Sequence, residues 1–163
     1  MAAWRMQSLI VIGALAIASP CHADPCDALA ATLVEKVSKL TIIDRSTNDQ
    51  AVVINLKHPD AEQLALVCPT VSETPSPRLS AQWNAAWPPS RFYDLLASVG
   101  AIVVSSSEPA VRSGSIICAQ RAMQENGHNV FDVNDARFVC ASSEGANGST
   151  HIIISRLAPP PPQ

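Results

Sequence analysis

From Cys26 to Leu40 apolar residues recur at helical spacing. Leu29, Leu33, Val37 and Leu40 form one stripe, with Glu35, Lys36 and Lys39 off it. This predicts a helix over 26–40, with Asp24 or Asp27 where a negative charge favours a helix start. Cys26 shares the stripe, so its sulfur is expected to face the core. Thr41-Ile42-Ile43 and Ala51 to Leu56 then flank the turn-forming cluster Ser46-Thr47-Asn48-Asp49. The β-branched Val52, Val53 and Ile54 favour strand, and the pair reads as a β-hairpin. Pro59 and Asp60 open a predicted short helix that ends near Cys68-Pro69, with Leu64 and Val67 on one side.

Residues 69–90 break this regularity. Pro69, Pro75, Pro77, Pro88 and Pro89 exclude long regular structure, and a turn or two of helix fits at Leu79 to Trp87. Long loops of this kind are often functional or disordered. Ser90 can cap a helix through Leu95 and Leu96 that ends at Gly100. Ala101 to Ser105 reads as a strand. Pro109 suits the first turn of another helix carrying Val111, Ile117, Cys118 and Met123. Gly114 weakens its start, which can fall as late as Ser115, and Asn126-Gly127 closes it. The last third predicts three strands, Asn129 to Val133, Ala136 to Ser142 and Thr150 to Leu157. Asn134-Asp135 and Glu144 to Ser149 connect them.

Helices and strands in this order predict an α+β class. The expected form is a small single-domain two-layer fold over 24–157. Its mainly antiparallel sheet combines an N-terminal hairpin with a C-terminal three-strand meander, packed by about four helices. A parallel pairing of Ala101 to Ser105 through the following helix would make the sheet mixed. The tail Ala158 to Gln163 contains consecutive prolines and is expected to be an extended, flexible end.

The N-terminus has a different character. Arg5 precedes the uncharged apolar run Leu9 to Ala18, then Ser19, Pro20 and small residues. That order is the secretory pattern, so 1–23 reads as a signal peptide. A membrane anchor needs about 20 apolar residues, and this run has ten. Cleavage fits after Ala18 or after Ala23. The second cut leaves four cysteines, Cys26, Cys68, Cys118 and Cys140, and the first leaves five. An even count suits an exported protein with every thiol paired, which favours Ala23. Lipid modification of Cys21 is a minor alternative, because Pro20 directly before it fits poorly.

Removing Arg5 from eleven basic residues leaves ten against fourteen acidic ones, net −4. No basic patch is present, which argues against nucleic acid as a partner. No second apolar segment is long enough to cross a bilayer, so no stable span is expected after cleavage. Sparse lysine and abundant alanine lean towards a periplasmic or secreted protein of bacterial type. Asn147-Gly148-Ser149 is a sequon, with a polar turn as its simpler reading.

In an oxidising compartment the four cysteines most simply form two bridges. Sequence alone does not choose among the pairings; Cys26–Cys68 and Cys118–Cys140 are preferred. No C-x-x-C spacing occurs, which disfavours a redox site or a zinc knuckle. His58, His128 and His151 follow the cleavage point. His128 and His151 fall at the same end of the predicted meander, about 10 Å apart with a strand between them. Asp132 is near, but no third ligand is evident and isolated surface histidines explain the same facts. Ser105, Ser106 and Ser107 follow a strand end without a G-x-S-x-G elbow or an identifiable base. No cofactor is implied.

The one uneven feature is aromatic. Trp83, Trp87, Phe92 and Tyr93 lie within eleven positions of a chain otherwise poor in aromatics. On a helical turn Trp83 and Trp87 would share a face. Exposed Trp and Tyr are strong binding anchors, which makes Trp83, Trp87 and Tyr93 the candidate ligand-binding residues. The plainer reading is that the tryptophans fold the loop down and cap the core, as large aromatics usually do. The leading functional expectation is a non-enzymatic binding or interaction module with an unknown envelope partner or ligand. The competing one is a small exported hydrolase or metal-dependent enzyme near His128 and His151.

Overall fold

Alternation of buried and less buried residues, not helical spacing, governs the chain from Ala51 to Trp83. The structure is a computed structural model that describes residues 24–71, 76–145 and 147–157. The expected signal peptide 1–23 and the proline-rich tail 158–163 lie outside the described residues.

Helix α1 (Pro25–Lys36) starts as its sequence suggests. Asp24 is the N-cap, accepting the Cys26 N–H at 2.9 Å, with Pro25 in the first turn. Four strands follow as a meander: β1 (Thr41–Thr47), β2 (Ala51–Lys57), β3 (Gln63–Pro69) and β4 (Arg78–Trp83). Helices α2 (Ser90–Val104) and α3 (Glu108–Gln124) come next. Strands β5 (His128–Val133), β6 (Ala136–Ser143) and β7 (Ser149–Arg156) complete the order. All seven strands form one antiparallel sheet in the order β1-β2-β3-β4-β7-β6-β5. The α2–α3 pair carries the chain from the middle of the sheet to its far edge, and the last three strands return to β4.

One row of side chains crosses six strands in register: Ile54, Leu66, Leu79, Ile154, Phe138 and Phe131. A parallel row holds Leu56, Leu64, Ala81, Ile152, Cys140 and Asn129. These residues face the helices, and all but the half-buried Phe131 are buried. Their strand neighbours Asn55, Ala65, Ser80, Ile153, Val139 and Val130 form the opposite, open face. The molecule is therefore a two-layer α+β arrangement with helices over one face of the sheet.

Two disulfides staple helices to that face. Cys26 on α1 is bonded to Cys68 on β3, and Cys118 on α3 to Cys140 on β6. Each closes a long loop in the unfolded chain, which stabilises the fold by about 2–4 kcal/mol. The N-cap Asp24 and Asp27 of α1 also hold Arg45 of β1, at 3.3 and 2.9 Å.

Several expectations are corrected. The helix expected between Pro59 and Pro69 is strand β3, since Leu64 and Leu66 alternate inward between Leu56 of β2 and Leu79 of β4. The hairpin is thus half of a four-strand meander, and the Leu79–Trp83 part of the proline-rich stretch is β4. The strand expected at Ala101 to Ser105 is instead the end of α2, so there are three helices where four were expected. Phe92, Leu96, Val99 and Val103 continue one buried helical stripe, and its burial outweighs the strand preference of the valines. Gly100 does not end the helix. A Cβ there would lie 2.9 Å from Val111 and 3.2 Å from Ile154, so its absence lets α2 sit close to α3 and β7. Ser105 ends α2 in the left-handed conformation. Ser90 does not cap α2 through its side chain; its hydroxyl accepts from Arg112 of α3. No parallel pairing occurs among the described strands.

Helix α3 runs through Gly114 because nothing else fits there. A Cβ would stand 2.6 Å from the Phe138 ring, and Phe138 is fully buried at the centre of the long row. Gly114→Ala is expected to destabilise the protein by about 1–3 kcal/mol despite alanine's better helix propensity. Urea denaturation measures it; an unchanged or higher midpoint would show that α3 and Phe138 do not pack this closely.

Candidate functional site

The polar and aromatic features collect in two places: the end of the sandwich where β4 enters α2, and the open face of the sheet. Trp83 is the last residue of β4 and shares the helix-facing side with Leu79 and Ala81. Its half-buried ring lies 6.0 Å from Phe92, and Phe92 packs edge-on to Tyr93 at 5.6 Å. Phe92 is fully buried, and Tyr93 is 9% exposed. Trp87 stands apart, 65% exposed on the bend before α2. The two tryptophans therefore do not share a helical turn, because Trp83 ends a strand and 84–87 are bends.

That bend is anchored from below. The fully buried Thr150 hydroxyl reaches the Ala85 and Ala86 carbonyls at 3.1 and 2.9 Å. One proton shared between two carbonyls ties the Trp87 loop to β7. Arg91, at the start of α2, places its guanidinium 5.5 Å from the centre of the Trp83 ring. Its Nε also meets Asp60 at 3.0 Å, on the β2–β3 turn. Arg91 thus joins the aromatic cluster to a cleft of about 320 Å³ whose walls include Ser38, His58, Asp60, Asp94 and Ser98. Asp94 is held by Arg112 at 2.6 Å. The acidic groups in this cleft are each matched by an arginine.

His58 looks reactive but is committed to the backbone. Its Nδ1 accepts the Asp60 N–H at 3.1 Å. Nε2 lies 3.1 Å from the Ser38 carbonyl, and that contact requires Nε2 to carry the proton. Both nitrogens of a neutral ring are used, so His58 brackets the end of α1 to the β2–β3 turn.

On the open face, His128, Ala141 and His151 are register neighbours across β5, β6 and β7. The two histidines share a face with one strand between them, as the meander predicts. Among the described residues, no group of three or more His, Cys, Asp or Glu comes together to hold a metal ion. His151 is engaged by a residue that sequence reasoning missed: Ser80 Oγ on β4 lies 2.8 Å from its Nε2. Burial pushes the His151 imidazole below the ordinary value of 6.5, so it is neutral near pH 7. Ser105, Ser106 and Ser107 form the α2–α3 connection, where Ser107 caps α3 through the Ala110 N–H.

Asp60, Arg91 and Asp94 were also invisible to sequence reasoning. Asp60 and Arg91 meet only because the β2–β3 turn and the start of α2 share one end of the sandwich. Ser80 had one usable signal, its alternation with the buried Leu79 and Ala81. The chain matches no protein-family model, no curated protein and no solved structure.

Tyr93 is the chain's single tyrosine, and burial pushes its phenol up to about 12 from the ordinary 10.0. Stability from keeping it neutral is complete below pH 10 and is lost as pH rises through about 12. Absorbance at the phenolate band, followed by stopped-flow alkaline jump, should therefore show ionisation near 12 in the folded protein. Ionisation at the ordinary value while the fold persists would mean that Tyr93 is exposed.

Proposed function

We propose that this is an exported binding module whose contact surface is the 79–93 segment, with Trp87 as the projecting anchor. Arg91 and the half-buried Trp83 extend that surface towards the Asp60 cleft, and Tyr93 supports it from the core. The observation that carries the reading is Trp87 itself. It is 65% exposed on a loop that Thr150 pins to the sheet. With the loop backbone already held, binding has to order only the two side-chain torsions of the indole, a small entropic cost. The partner class is an envelope ligand or protein, and the aromatic, arginine and carboxylate chemistry suits sugar rings with polar substituents.

Export is supported by the two disulfides, which persist in oxidising compartments. Cleavage after Ala23 would leave Asp24 in place as the cap of α1. Among the described residues no single helix is long and apolar enough to cross a membrane. The bent pair α2–α3, which together has sufficient length and apolarity, packs its apolar side on the sheet.

With Trp83 replaced by Phe, emission from Trp87 should be red-shifted and quenchable by iodide. Soluble peptidoglycan fragments should shift it to the blue, and Trp87→Ala should weaken their binding at least about tenfold, as for an anchor residue. Emission that is already blue and unquenchable would sink the aromatic-surface reading.

A second reading, a small exported hydrolase, is favoured by the Ser80–His151 contact. A neutral imidazole 2.8 Å from a hydroxyl is the arrangement of a nucleophile and its base. Ser80 would attack an ester carbonyl, His151 would take the hydroxyl proton and pass it to the departing alcohol, and the acyl group would remain on Ser80 until water releases it. A fluorophosphonate probe should then label the wild type and fail to label Ser80→Ala and His151→Ala. No labelling of the folded wild type removes this reading.

A further inference from the structure

Strands β1 and β5 are the two free edges of the sheet. On β1 the register slips between Ile42 and Asp44, a bulge of the kind that turns an edge away from further pairing. On β5 the register is unbroken from His128 to Val133. The ladder with β6 can be read from its first bond, in which the Ser142 N–H donates to the Gly127 carbonyl at 2.9 Å. Alternation then aims the main-chain groups of Asn129, Phe131 and Val133 at β6. Those of Val130 and Asp132 point outward, as does the His128 carbonyl, while the His128 N–H donates to the Glu125 carbonyl at 3.5 Å. The side chains of the same three residues lie on the open face, all exposed, Val130 by 49%.

We propose that β5 is a self-association edge, pairing antiparallel with β5 of a second copy about a two-fold axis at Val130. The outward main-chain groups of one copy then meet their equivalents in the other. Val130 opposes the partner's Val130. His128 opposes the partner's Asp132 on each side of the axis. Residues opposed in a hydrogen-bonded pair have Cα atoms about 5.5 Å apart, within reach of an imidazole N–H to a carboxylate. An axis one residue away, at Asn129 or Phe131, would instead set Val130 against His128 or Asp132. Only the Val130 axis matches apolar with apolar and imidazole with carboxylate.

Two further observations fit this pairing. Arg137 grips Asp132 through two contacts of 2.8 Å, which fix the carboxylate's position and hold its pKa below the usual range. The open-face row Ile153, Val139 and Val130 would continue without a step into the same row of the second copy. The result is an isologous dimer with one continuous sheet, both helix layers on the same side.

Sedimentation velocity on the disulfide-intact protein tests this. The wild type should show a concentration-dependent monomer–dimer equilibrium. H128D opposes two carboxylates, and D132K replaces the accepting carboxylate by an ammonium beside Arg137, so each variant should weaken dimerisation at least about tenfold. An equimolar mixture of the two variants should dimerise again, because Asp and Lys then face each other; recovery also shows that both variants are folded. A wild type that stays monomeric to its solubility limit would overturn the proposal. So would a dimer indifferent to both substitutions, or a mixture of folded variants that stays monomeric.

Discussion

Everything else in this structure rests on one row of side chains: Ile54, Leu66, Leu79, Ile154, Phe138 and Phe131, in register across six strands. A strand that slipped by one residue would turn its whole inward set to solvent. The row therefore locks each of these six strands against its neighbours, including β7, which returns from the end of the chain to pair with β4. Burying a single residue of this kind contributes roughly 1.5–3 kcal/mol, so none of the six can leave the register cheaply.

The helices are fitted to that row by subtraction and by staples. Gly100 and Gly114 remove the Cβ atoms that would strike Val111 and Phe138. The helix backbones then approach the sheet and each other closely. Cys26–Cys68 and Cys118–Cys140 hold the two outer helices at either side, and α2 between them is held by its own burial. A layer fixed in this way gives a firm base to whatever projects from its ends.

What projects is the β4–α2 bend. Arg91 is engaged both by the Trp83 ring and by Asp60, and Thr150 pins the bend carbonyls. Trp87 is left outside this bracing. His58 spends both ring nitrogens on main-chain groups, and the cleft beside it carries the paired charges Asp60–Arg91 and Asp94–Arg112. The only imidazole hydrogen-bonded to a hydroxyl among the described residues is His151, on the opposite face of the sheet.

The sequence by itself determined the class, because class follows from local periodicity and from turn chemistry. The start of α1 at Asp24 or Asp27, the turns at Asn126-Gly127 and Asn134-Asp135, and the three C-terminal strands were legible within short windows, whereas the expected helix ran on to Leu40 and α1 stops at Lys36. The preferred cysteine pairing, Cys26 with Cys68 and Cys118 with Cys140, is the one the fold makes. Leu64 and Val67 were misread as a helical face, since a short apolar run satisfies either period until a neighbouring strand is known. Val103 and Val104 were misread as strand, since only the sheet beneath α2 supplies the burial that keeps them helical. The candidate site was legible as an aromatic cluster but not as a surface. Which tryptophan is exposed, and that Arg91 meets Asp60 or Ser80 meets His151, depends on segments far apart in the chain. Tertiary structure alone decided those contacts, because sequence periodicity records which face a residue takes and not which distant residue shares it.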